Sequence, residues 1–202
     1  MALHDRGIRA AQLGLLANAV LAAVKLVAGI VGNSYALIAD AVESMADVVG
    51  SLIVWRGLAV AALPADEDHP FGHGKAEAIA AAAVSVLLFG AAAGVAYEAV
   101  QEIRTPHRPP ASWTLLVLAL VMFAKWVLAR RVEAVGAAIG SRAVRADAWH
   151  HLSDAITSAA AFIGIAVALV GSRVYGGAQW AAADDWAALV AAGVIAYNGW
   201  RL

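Results

Sequence analysis

Six long apolar stretches follow one another along the chain, at roughly Ala11–Val31, Tyr35–Leu63, Lys75–Val100, Trp113–Val132, Val144–Val170 and Trp180–Trp200. Each reaches about the 20 residues that a helix needs to cross a bilayer. The pattern predicts an all-α membrane protein of six transmembrane helices. The second, third and fifth stretches contain charged residues, so they are expected to face protein or water rather than lipid. Breakers separate the stretches. Gly32-Asn33-Ser34 is a tight turn of small residues, and the prolines of the 104–110 segment cannot continue a helix. The 64–74 segment is the most polar connection, and 171–177 closes the fifth hairpin. The first stretch is long enough to remain in the membrane, unlike a cleaved signal. Residues 1–202 therefore read as a single transmembrane domain.

Two of the polar interruptions share a pattern. Asp40-x-x-Glu43-x-x-x-Asp47 recurs 107 positions later as Asp147-x-x-His150-x-x-x-Asp154, within flanks that also match. At about 100° per residue, offsets of three and seven fall within roughly 60° of one helix face. Helices 2 and 5 thus each carry a stripe of metal-ligating side chains. Beyond these stripes the two halves show no convincing repeat. Gly90 and Gly94 form a small-xxx-small pair that would permit close helix approach, and a dimer through this face is one expectation.

Composition sharpens the class. The chain is 62% hydrophobic and 14% charged, against about one-half and one-quarter in average soluble domains. Its net charge of -1 offers no polybasic face for nucleic acid, and the absence of Cys removes thiolate ligands and disulfides. Arg6, Arg9, Lys75, Arg130, Arg131, Arg142, Arg145 and Arg201 fall on one side of the predicted topology; Arg104, Arg108 and Arg173 fall on the other. That bias puts both termini in the cytoplasm. An integral, multi-pass protein of the cell inner (plasma) membrane is expected.

Each ionised residue at the bilayer centre costs about 2.5–3.5 kcal/mol on insertion scales. A cluster such as Glu43, Asp47 and Asp154 is tolerable only when protons, a cation or water neutralise it. Groups that take up protons and a divalent ion in turn have the chemistry of an antiporter. Three carboxylates and one imidazole suit four-coordinate Zn²⁺, and the imidazole disfavours Mg²⁺ and Ca²⁺. Fe²⁺, Co²⁺ and Mn²⁺ remain open. The plain alternative is that each acid pairs with a buried lysine, for which Lys25 and Lys125 are available. His151 lies outside the stripe and suits a packing role or one behind the ligands.

Four motifs carry a family resemblance. The run Asn18 to Lys25, followed by Ser34-Tyr-Ala-Leu-Ile-Ala-Asp40-Ala-Val-Glu43-Ser-Met-Ala-Asp47, resembles the cation diffusion facilitator transporters. So do Phe71-Gly-His73-Gly-Lys75 and Arg145-Ala-Asp147-Ala-Trp-His150-His-Leu-Ser-Asp154. The resemblance covers the whole chain in order. It implies export of Zn²⁺ or related divalent ions in exchange for protons, through a site of Glu43, Asp47, His150 and Asp154, with Asp40 and Asp147 just outside it. It also implies that Asp66, His69 and His73 of the polar loop form a peripheral zinc site. Two imidazoles and a carboxylate would leave a coordination position open there; a polar loop whose His-Pro and Gly-His-Gly elements only shape the turn is the alternative to metal binding.

Two features depart from the family pattern. Glu43 stands where Asp or His is usual, and residues 1–202 lack the usual cytoplasmic C-terminal domain. The expected partners are Zn²⁺ as transported substrate and as a loop-bound ion, protons, the lipid bilayer and a second copy in a homodimer, with no organic cofactor. Alternating access would let protons release the metal, with His150 the natural coupling group because imidazole titrates near neutral pH. The rivals are a proton-coupled Fe²⁺, Co²⁺ or Mn²⁺ exporter, a monovalent cation/proton carrier, and a scaffold holding a structural metal. An intramembrane metallohydrolase would need a His-Glu-x-x-His arrangement, which does not occur; no enzyme activity is expected.

Overall fold

The computed structural model describes the backbone of residues 2–105, 108–139, 142–176 and 178–201; the side chains of 2–11, 13, 136, 139, 142–153, 155, 156 and 178 lie outside the described ones. Six long helices make up the described chain: α1 (Ala2–Gly32), α2 (Tyr35–Ala61), α3 (Lys75–Arg104), α4 (Trp113–Ile139), α5 (Arg142–Val174) and α6 (Ala182–Arg201). A 3₁₀ turn, Ala178–Trp180, precedes α6. The all-α, six-helix expectation holds. Among the described residues, Gly14–Gly32, Lys75–Arg104 and Thr157–Val174 stand out as membrane spans by length and apolarity. Large apolar side chains such as Val27, Ile30, Leu116 and Leu120 point outward, as lipid contact requires and as water would penalise.

Helix α2 sits at the centre. It packs against α1 and α5 on one side and against α3 and α6 on the other, while α4 joins the α1/α5 side. Ala28, Ala36, Leu37, Leu118, Ala161 and Ile165 fill the first interface. Ala46, Val84, Leu88, Ala92 and Ile195 fill the second. Small side chains let the helices come close. A Cβ added at Gly57 would collide with Ala80 Cβ of α3 and lie 3.2 Å from Ala76 O. One added at Gly164 would collide with Ala187 Cβ of α6 and lie 3.2 Å from Ala183 O. Gly90 and Gly94, by contrast, meet nothing within 4 Å, so neither makes a close crossing in the described bundle.

The turns follow their chemistry. Asn33 adopts φ 51°, a left-handed conformation that Asn tolerates better than most residues, and Ser34 then caps α2 by accepting from the Leu37 amide. One boundary differs from the sequence expectation. Helix α5 continues through Gly171 to Val174, and Gly171 lies against the Trp180 indole, where a Cβ would clash. The turn is made at Gly176, with φ 69°.

Candidate metal centre

The α2 stripe divides between two environments. Asp40 is buried, with Oδ2 2.9 Å from Lys25 Nζ of α1. Ser158 Oγ of α5 stands 2.9 and 3.0 Å from the two Asp40 oxygens. Lys25 also donates to Asp40 O at 2.9 Å and to Ser44 Oγ at 2.6 Å. Ser44 accepts a second ammonium, Lys125 Nζ of α4, at 3.2 Å, and Lys125 lies 2.9 Å from Asp154 Oδ2. Lys25, Asp40, Ser44, Lys125, Asp154 and Ser158 thus form one polar network joining α1, α2, α4 and α5. Both lysines have 0% exposure, so these contacts are what makes two charges tolerable there. The lysine-pairing alternative is therefore realised at Asp40 and at Asp154.

Glu43, Asp47 and Asp154 come together differently. All three line a cavity of about 800 Å³ between α2, α3, α5 and α6. Ser51 and Val54 extend its wall along α2, Thr157 faces it from α5, and Asn198 and Arg201 border it where α6 ends. Glu43 is buried, whereas Asp47 is half-buried, so the cavity carries access inward from the end of the bundle that bears the α2–α3 loop. Helix α5 places His150 and Asp154 on one continuous helix, but the side chains of Asp147, His150 and His151 lie outside the described ones. Three members of the expected quartet are brought to one cavity.

Asp66, His69 and His73 converge in the loop, their nearest ligand atoms all within 4.8 Å of one another. Asp66 Oδ1 accepts from the His69 amide at 2.6 Å and lies 3.0 Å from His69 Nδ1. These bonds, the backbone one foremost, hold the exposed Asp66 carboxyl below its usual value, so it stays charged through the neutral range. His73 Nδ1 is 3.2 Å from Pro64 O. A carbonyl only accepts, so a proton sits on Nδ1, and the other ring nitrogen, Nε2, lies 3.4 Å from Asp66 Oδ2. A backbone carbonyl behind one ring nitrogen is the usual support for a metal-binding His.

Sequence reading missed the polar partners. Ser44 and Ser158 lie in alanine-rich helix, and the signal that could have found Ser158 is its position four residues beyond Asp154, on the stripe's own face. Asp184 was also missed. From the first turn of α6 its Oδ1 accepts from Ser34 Oγ at 2.8 Å, and Oδ2 accepts from the Tyr35 and Ala36 amides at 2.6 and 3.3 Å. A carboxylate from α6 therefore caps the helix that carries the site.

The family model for the cation efflux transmembrane domain matches residues 11–202. The chain belongs to the cation efflux family. This is the transporter family that the motifs of α1, α2, the loop and α5 resemble, and it makes the chain an integral, multi-pass membrane protein. Among its relatives, the manganese efflux system protein MneP of Bacillus subtilis is 38% identical over 166 residues, covering 81% of this chain and 55% of that protein. Metal tolerance protein C1 of Arabidopsis thaliana is 31% identical over 183 residues, covering 83% and 39%. The magnetosome protein MamM of Paramagnetospirillum magneticum is 35% identical over 159 residues, covering 76% and 49%. The chain spans about half the length of the curated relatives it matches. Cation efflux relatives of this kind support transport of divalent metal cations at the level of the family.

Proposed function

We propose that the chain exports a divalent metal cation, Zn²⁺ in the first reading, in exchange for protons, by alternating access around Glu43, Asp47, His150 and Asp154. The observation that carries this reading is the cavity of about 800 Å³ into which Glu43, Asp47 and Asp154 converge. The acidic lining favours a cationic cargo. Asp40, Glu43, Asp47 and Asp154 bring four carboxylates to the network and cavity, and Lys25 and Lys125 bring two ammonium groups. Arg201 on the cavity border adds a third basic group, and the acids still outnumber the bases among these described groups.

With the Lys- and Arg-rich side in the cytoplasm, the cavity is the inward-facing entrance. Metal enters past the Asp66, His69 and His73 cluster, which serves as a peripheral capture site. Deprotonated ligands bind the ion; protons displace it after the carrier has switched. Mn²⁺ is a second reading, favoured by the manganese efflux relative and by a site richer in carboxylate than in imidazole, since carboxylate and water suit that ion. The active unit is taken as a homodimer, with no enzymatic step.

Reconstituted vesicles test the proposal with a panel of Zn²⁺, Fe²⁺, Co²⁺, Mn²⁺ and Cd²⁺ and an internal pH dye. The expected result is metal flux with opposite proton movement, lost on Asp47→Ala with the protein still inserted. Metal flux without proton movement under any pH gradient removes the antiport step, and normal flux in D47A removes Asp47 from the site.

A further inference from the structure

The two buried lysines are bound in unlike ways. Lys25 has three N–H donors and three acceptors around it, namely Asp40 O, Asp40 Oδ2 and Ser44 Oγ. None of those atoms belongs to a residue lining the large cavity, so Lys25 is satisfied within the α1–α2 contact. Lys125 reaches past Ser44 to Asp154 Oδ2 at 2.9 Å, and Asp154 is itself part of the cavity wall. A fixed positive charge therefore lies directly behind a carboxylate that the transport reading gives to the metal.

We propose that Lys125 is the resident counter-ion of the transport site: it holds Asp154 in the empty carrier and lowers that carboxylate's hold on a bound divalent cation. The role rests on the transport reading above and specifies how its site is tuned. An empty carrier must cross between states with several acids in a low-dielectric bundle, and an ammonium on Asp154 removes one uncompensated charge. Once metal is bound, that ammonium repels it through the shared carboxylate, and the repulsion is strengthened because 0% of Lys125 reaches solvent. A transport site has to bind well enough to load and weakly enough to unload. Lys125 thus acts through Asp154 as a positioning residue and sets affinity, without being a ligand.

The test compares the full chain with K125M, K125Q and K125R in lipid nanodiscs at pH 7.5, titrated calorimetrically with Zn²⁺ and Mn²⁺, and follows efflux in vesicles. Neutral K125M should bind metal tighter, with Kd lowered on the order of tenfold, while maximal efflux falls because release slows. K125Q, which keeps a donor without charge, should do the same, and K125R should return both quantities toward wild type. A merely structural lysine gives the opposite sign, weaker binding in both neutral variants. That result overturns the proposal, as does an unchanged Kd, or a failure of both neutral variants to fold while K125R folds. Wild-type protein that neither binds nor moves metal would instead sink the transport reading itself.

Discussion

Asp40 and Asp47 lie two turns apart on α2, yet different partners surround them. Asp40 is enclosed by Lys25 and Ser158, with both its oxygens bonded, whereas half-buried Asp47 lines the cavity. The regular stripe of α2 thus splits into a structural acid and candidate ligands. The spacing was legible in the sequence because a helix face is a local property. Which acid meets which lysine was not, because Lys25 and Lys125 come from helices whose relative rotation is set by packing. Asp40→Asn should therefore destabilise rather than simply slow transport. It strands the Lys25 ammonium in a site with no exposure, and removing one partner of such a pair costs roughly 3–5 kcal/mol. The double variant K25M/D40N should recover most of that loss, since it removes the stranded charge, and thermal unfolding of the purified protein in detergent measures both. No recovery in the double variant would mean that Asp40 acts mainly through Ser158.

At the level of elements, α2 is held at its N-terminal end by another helix. Asp184 of α6 takes the amides of Tyr35 and Ala36 and the hydroxyl of Ser34, whose Oγ in turn accepts from Leu37. Three of the four amides that a helix start leaves open are satisfied by these two side chains. Replacing Asp184 with Ala should cost about 1–2 kcal/mol, toward the upper end of cap losses, and hydrogen exchange should quicken first at Tyr35 and Ala36. Unchanged protection at those amides would show that the Asp184 bonds do not hold the start of α2. The six helices were legible because each apolar stretch reports its own environment. A cap reaching across about 150 positions leaves no periodic trace. Small-residue crossings were hidden for a different reason: in an alanine-rich chain, glycine spacing by itself does not distinguish Gly57 and Gly164, which make close crossings, from Gly90 and Gly94, which make none.

Over the whole molecule, those crossings reveal more of the repeat than the acid stripes alone. Gly57 against Ala76 and Ala80 recurs as Gly164 against Ala183 and Ala187, at the same interval of 107 positions that relates Asp40, Glu43 and Asp47 to Asp147, His150 and Asp154. Consecutive spanning helices alternate in direction, so α2 and α5, three apart, run opposite ways, and their likeness is that of an inverted repeat. Such repeats give a carrier two related conformations in which corresponding positions exchange environments. Ser51 and Ser158 are one such pair by the same interval. Here Ser158 has 0% exposure and bonds Asp40, whereas Ser51 is exposed and lines the cavity. The chain contains no cysteine, so S51C and S158C each carry a single reporter. In the conformation described here, S51C should react with a membrane-impermeant maleimide supplied from the side of the α2–α3 loop, and S158C should be protected. A metal and proton gradient that drives the carrier to its opposite state should slow labelling of S51C and expose S158C to reagent from the other side. Labelling of both from one side under every gradient would mean that the repeats do not exchange, and that the bundle opens by some motion other than the one its symmetry provides.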